Sequence, residues 1–144
     1  LHTNSAAASI TRLRDIGVDS FLLGATLRGV LAQRLVRKLC SHCKTPDSIE
    51  VRCTDGLPSS RSWWPTGCPQ CNGTGYRGRT VIHELLEVTE TIREAILKGQ
   101  PETEIERLSQ QEGLALLAHA GMAKIASGET SIEELRRTLG HVDI

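Results

Sequence analysis

The stretch CPQCNGTGYRGRTVIHE, residues 68–84, decides how the chain is read: two cysteines two residues apart, then three glycines and the arginines Arg77 and Arg79, then an apolar run. A two-residue gap lets both sulfurs of a knuckle face one point, and the glycines supply the positive φ angles and close backbone approach that a chain folding round a metal needs. Upstream, Cys40 and Cys43 repeat the spacing, with residues 44–67 between the pairs. Cys40, Cys43, Cys68 and Cys71 therefore form a tetrahedral ligand set for a structural Zn2+. Four thiolates leave no open position for water, so the metal is not expected to catalyse. His42, inside the first pair, and Cys53, between the pairs, are alternative ligands that a filled coordination sphere does not need.

The chain's five cysteines are an odd count, unlike the even disulfide framework of small secreted domains, and point to reduced, metal-holding thiols in a cytoplasmic compartment. At 144 residues the chain has the size of one domain, with 17 basic residues against 17 acidic, so no global field draws it to nucleic acid or acidic lipid. One Phe, one Tyr and two Trp leave the core to Leu, Ile, Val and Ala, the composition of a mainly helical protein. Leu1 is not a start codon product, which reads as a fragment of a longer protein.

Outward from the cysteines, helical punctuation is plain. Asn4 or Ser5 caps a first helix carrying Ala7, Ile10, Leu13 and Ile16 and stopping at Gly17. Leu23, Leu27, Val30, Leu31 and Leu35 predict a second helix from about Ser20 to Leu39. Its basic end, with Arg34, Arg37, Lys38 and then Lys44, is read as a solvated face or a contact with a neighbouring subunit, platform protein or lipid head group. Residues 45–67, rich in Pro, Ser, Gly and Asp, are expected to be an irregular loop, with Trp63 and Trp64 as a partner-binding tip or a minicore over the zinc. Arg79–Val88 begins as a β-like run and reads as a short strand, with a helix as the alternative. Helices then start at Thr89, at Pro101, within 113–128, and at Ser131, where Glu134 three residues on completes a capping-box pattern before Gly140. Ile92, Ala95, Ile96, Leu108, Leu114, Leu117 and Ile125 recur at helical spacing as core, and His119 and Met122 fall on that pattern.

The chain lacks a G-x-x-x-x-G-K-S/T phosphate loop, a G-x-S-x-G elbow and an H-E-x-x-H motif, so no active site is complete within it. Three separated segments nevertheless carry a resemblance: LHTN at residues 1–4, GVLAQRLVRKLC-x-x-C at 29–43 and CPQCNGTGYRGRTVIHELL at 68–86. Together, and in this order, they resemble the C-terminal part of the secretion traffic ATPases: the hexameric motor of type II secretion and its relative, the type IV pilus assembly ATPase. The secretion member is the first choice and the pilus relative the alternative.

The resemblance implies a mainly α fold with a short β element. It would be the C-terminal subdomain of a RecA-like P-loop ATPase, with residues 1–39 ending the ATPase domain, 40–78 an inserted tetracysteine zinc-knuckle module and 79–144 a helical subdomain. It makes His2 part of a histidine box at the terminal phosphate of ATP, hence a catalytic-site residue. It also nominates Arg79, with Arg77 behind it, for the nucleotide base or ribose. Guanidinium groups suit this because they stack on purines while donating hydrogen bonds. The cofactors implied are structural Zn2+ here and ATP with Mg2+ in the full-length protein. The implied partners are the other subunits of a homohexamer and inner-membrane platform proteins, with the protein cytoplasmic and peripheral to that membrane. Without lysine, metal and phosphate cradle, the fragment alone is not expected to hydrolyse ATP.

Two other classes compete. A stand-alone zinc ribbon binding nucleic acid or protein is disfavoured for nucleic acid, because residues 40–79 hold only five Lys or Arg against three acids. A chaperone-type module of the zinc-containing J-domain co-chaperones is echoed in CPQCNGTG, but that family repeats the unit four times and it occurs once here. No nucleic-acid partner is expected.

Overall fold

In the computed structural model, which describes residues 5–51 and 60–140, six helices and four strands follow one another. Ala6–Asp15 (α1) and Ser20–Thr26 (α2) precede Gly29–Leu39 (β1), Lys44–Val51 (β2) and Ser60–Pro65 (β3). A 3-10 turn, Pro69–Cys71, leads into Tyr76–Glu87 (β4). Glu90–Leu97 (α3), Glu102–Gln111 (α4), Leu117–Ala126 (α5) and Ile132–Leu139 (α6) complete the chain. The helices after residue 88 start and stop where the caps foretell: Thr89 Oγ1 accepts from Ile92 N, Pro101 precedes α4, and Ser131 Oγ accepts from Glu134 N. Ser5 is the first cap, accepting from Ala8 N.

The expected helix over 20–39 is corrected. Its second half is β1, eleven residues long, paired with β4. Ties of Val88 N to Arg28 O and of Cys40 N to Gly75 O bracket the ribbon, so the two strands run in opposite directions. Ala32, Val36 and Leu39 are buried, whereas Leu31 and Leu35, which helical spacing would put on the buried stripe, are 57% and 58% exposed. Apolar residues at i and i+4 lie on one face of a helix and also on one face of a strand. Gly29 at the start of the run and a distant pairing partner decided between the two.

The loop expected over 45–67 is likewise corrected among its described residues. β2 and β3 form an antiparallel hairpin in which Lys44 faces Pro65, Thr45 faces Trp64, Pro46 faces Trp63 and Val51 faces Ser60, with an irregularity between Pro46 and Glu50. Both strands are edges of a two-stranded sheet, so outward-facing backbone positions and bulges tolerate the prolines that suggested a loop. Cys53 lies outside the described residues.

Two compact units divide the chain. One comprises Leu1–Gln33 with His83–Leu116, and its core holds Ile10, Leu23, Leu86, Ile92, Ile96 and Ile105. Its Glu84, 3% exposed, accepts a hydrogen bond from Ala6 N at the start of α1. The other unit comprises Arg34–Ile82 with Leu117–Ile144 and buries Val36, Val51, Tyr76, Ile125, Ile132 and Leu135, together with Cys40 and Cys71. Among the described residues no helix is long and apolar enough to cross a membrane.

Candidate metal centre

Each C-x-x-C pair closes on a tight turn. Cys43 N and Lys44 N donate to Cys40 O, and Cys71 N and Gly73 N donate to Cys68 O. Asn72 takes the left-handed conformation, φ 53°, that lets the chain double back after the second pair. Gly75, φ +78°, is required twice over: a Cβ there would stand 2.5 Å from the Cβ of Pro65. Gly67 is in the same position against the carbonyl of Gly73, so the knuckle and the end of β3 meet backbone to backbone.

The turns bring the four sulfurs to one point. Cys40 Sγ is 3.9 Å from Cys68 Sγ, Cys43 Sγ is 3.8 Å from Cys71 Sγ, and Cys68 Sγ is 3.8 Å from Cys71 Sγ. All four lie within 4.8 Å of one another. Zinc–sulfur bonds of about 2.3 Å in a tetrahedron separate the sulfurs by about 3.8 Å, whereas a disulfide needs about 2.05 Å. The donor set therefore fits zinc, and the four thiols are unpaired.

The local electrostatics agree. Burial opposes ionisation of Cys71, but hydrogen bonds from Cys68 N and Gly75 N and from the neighbouring thiols outweigh it and bring its pKa down to about 6. Burial pushes Cys43 up to about 12, with Cys68, Cys71 and Cys40 adding to the rise and a bond from Gly67 N opposing it. Thiols crowded at one point cannot all ionise without a cation. A bound dication would remove that conflict, close the site and stand in for the apolar core that the hairpin lacks.

Of the other nominated residues, His2 lies outside the described residues. His42 is exposed and outside the cluster. Arg77 and Arg79 are exposed on β4, and Arg79 borders a recess with Leu35, Arg37 and Arg137. Trp63 is half-buried against Gly128, with Lys44 Nζ 4.7 Å from its ring centroid and donating to Gly128 O at 2.8 Å. Trp64 is 53% exposed.

Sequence reasoning gave Glu134 a capping role and missed its ion group. It is wholly buried, and its carboxylate accepts from Arg37 N, Arg37 Nε and both Nε and NH2 of Arg137 at 2.7–2.9 Å, with Arg37 NH2 at 2.6 Å. The Ser131-x-x-Glu134 pattern is thus half a capping box: the serine caps α6, and the glutamate turns to two arginines instead of to the Ser131 amide. Burial alone would raise its pKa, but the Arg137 and Arg37 hydrogen bonds hold it at about 2. The one available signal was an acid in the first helical turn with Arg137 three residues later.

Comparison with known proteins gives a consistent result. The family described as Type II/IV secretion system protein matches residues 1–137. The type II secretion system protein E of Aeromonas hydrophila is 47% identical over 142 residues, covering 95% of this chain and 28% of that protein. The type II secretion system ATPase E of Vibrio cholerae is 42% identical over 142 residues, again 95% and 28%. The type IV pilus assembly ATPase PilB of Thermus thermophilus is 44% identical over 147 residues, covering 96% of this chain and 16% of that protein. The chain thus spans under a third of the length of these relatives.

Proposed function

The chain belongs to the type II/IV secretion system proteins, and from that we propose that it is the C-terminal part of a secretion ATPase, the type II motor rather than its pilus relative. In this reading a homohexamer couples ATP hydrolysis to pseudopilus assembly and protein export. It works in the cytoplasm, held at the inner membrane by platform proteins. Residues 1–39 end a RecA-like ATPase domain, 40–78 are the zinc module and 79–144 a helical subdomain. The phosphate loop and the Mg2+ ligands belong to the rest of the protein.

The observation that carries the reading is the juxtaposition of a closed zinc ligand set with an exposed arginine eight residues beyond Cys71. The knuckle's close approach to Pro65 anchors the start of β4, and Arg79 stands on that strand without an acidic partner among the described residues. Arg79 contacts the base or ribose of a nucleotide held by the upstream part of the protein, Arg77 assists, and His2 senses its terminal phosphate. Rigid zinc-bound turns would keep the guanidinium in place, so that little conformational freedom is lost on binding.

The test is steady-state ATPase kinetics of the complete hexameric enzyme. Arg79→Ala is expected to raise the KM for ATP about tenfold, the loss of one charge-assisted contact. His2→Ala is expected to lower kcat. Unchanged constants for Arg79→Ala would refute its nucleotide contact.

A further inference from the structure

Leu35, Arg37, Arg79 and Arg137 enclose a recess of about 380 Å3, room for roughly a dozen waters. Among the described residues its three charged walls are all guanidinium, and no carboxylate lines it. Glu134 is wholly buried beneath and neutralises one positive charge, yet it is served by two arginines. The Arg37–Glu134–Arg137 group keeps a net charge of +1, and Arg79 adds a second. A carboxylate that only needed a counter-ion would be satisfied by one arginine.

The group is also immobilised. Arg37 lies 4.0 Å from the centroid of the Tyr76 ring, Tyr76 Oη is 2.6 Å from Ser131 Oγ, and Thr130 Oγ1 donates to the carbonyl of Arg37. A guanidinium has five N–H donors, and Glu134 occupies the Nε and NH2 positions of each arginine, so NH1 of each remains available. Preorganised forks with spare donors, and two charges uncompensated among the described residues, match the geometry and charge of a phosphate group better than those of a single carboxylate.

We propose that this recess binds a phosphate group, from a nucleotide or from free pyrophosphate, with Arg37, Arg79 and Arg137 as its donors and Glu134 as the positioning residue. The nucleotide reading of Arg79 bears only on where the phosphate comes from.

The test titrates the 144-residue chain with pyrophosphate, ADP and adenosine while following arginine Nε–H and backbone amide resonances. Pyrophosphate is expected to shift Arg37, Arg79 and Arg137 saturably. Arg79→Gln and Arg137→Gln should each weaken it about tenfold. Arg136→Gln removes the same charge next door, outside the recess, and should leave affinity unchanged. Glu134→Gln discriminates further: it adds positive charge but frees both arginines, so affinity falls if positioning matters and rises if the recess is merely positive.

Absence of saturable shifts, equal losses for Arg136→Gln and Arg137→Gln, or tighter binding by folded Glu134→Gln overturns the proposal. Equal binding of ADP and adenosine, both insensitive to Arg137→Gln, overturns it while leaving a nucleotide contact at Arg79 standing. If pyrophosphate behaves as expected while Arg79→Ala leaves the KM of the complete enzyme unchanged, the phosphate site holds and the nucleotide reading falls. A preference for ADP over pyrophosphate identifies a nucleotide as the source, and the reverse identifies the free anion; either supports the site.

Discussion

The two compact units reach stability by different routes. In the unit of α1–α4, the ends of β1 and β4 supply Ala32 and Leu86 to a core of isoleucines, among them Ile10, Ile92, Ile96 and Ile105, each at most 1% exposed. In the other unit, the apolar residues Val36, Val51, Ile125 and Leu135 are joined by four clustered sulfurs, a buried glutamate with two arginines, the Tyr76–Ser131 bond and the Lys44 tie to Gly128. An apolar core accepts many small changes at modest cost, whereas a ligand set or buried ion group fails when one member is lost. The difference locates fragility in the second unit, beside the exposed residues nominated for function.

The largest contrast should come from removing zinc. Structural sites of this kind link on the order of 10 kcal/mol of metal binding to folding. Both tryptophans, Trp63 and Trp64, lie in β3, so their fluorescence reports the cysteine-bearing unit alone. A strong chelator, or Cys71→Ser, is expected to change tryptophan emission and abolish amide protection around Cys68–Tyr76 while amides of α3 and α4 stay protected. Equal loss in both units would erase the contrast.

Next in size is Glu134→Ala, which strands Arg37 and Arg137 and is expected to cost about 3–5 kcal/mol in denaturant unfolding. The same carboxylate sets a pH signature. Its folded pKa, about 2, lies below the ordinary 4.5, so the unfolded chain binds the proton more readily. The stabilisation is complete above pH 4.5, declines as pH falls towards 2 and is lost below that. Unfolding midpoints across this window should fall for the native chain and stay flatter for Glu134→Gln.

The smallest effect sharpens the comparison from the other side. Ile96→Val, in the isoleucine core, should cost about 1 kcal/mol and leave tryptophan emission unchanged.

Much of the fold was legible in residues whose chemistry is local. Thr89, Pro101 and Ser131 open their helices because capping is decided within one turn, and the buried positions Ile92, Ile96 and Ile125 follow from periodicity. The cysteine cluster was legible for the same reason, since C-x-x-C is a local geometry and only the meeting of two pairs is tertiary. What was illegible depended on distant partners. Residues 29–39 carry apolar spacing compatible with helix or strand, and pairing with β4, about fifty residues on, selects the strand. The hairpin of β2 and β3 was hidden by prolines that a two-stranded edge tolerates.

Glu134 belongs to the same class: its local pattern promised a cap, while its use was decided by Arg37, 97 residues away. By itself, then, the sequence determined the family, the four cysteines that cluster and most helix ends, because those rest on motifs and on interactions within a turn or two. Only the tertiary structure decided the strands, the burial of Glu134 and the gathering of three arginines round one recess. Those depend on which distant residue supplies the missing hydrogen bond or charge.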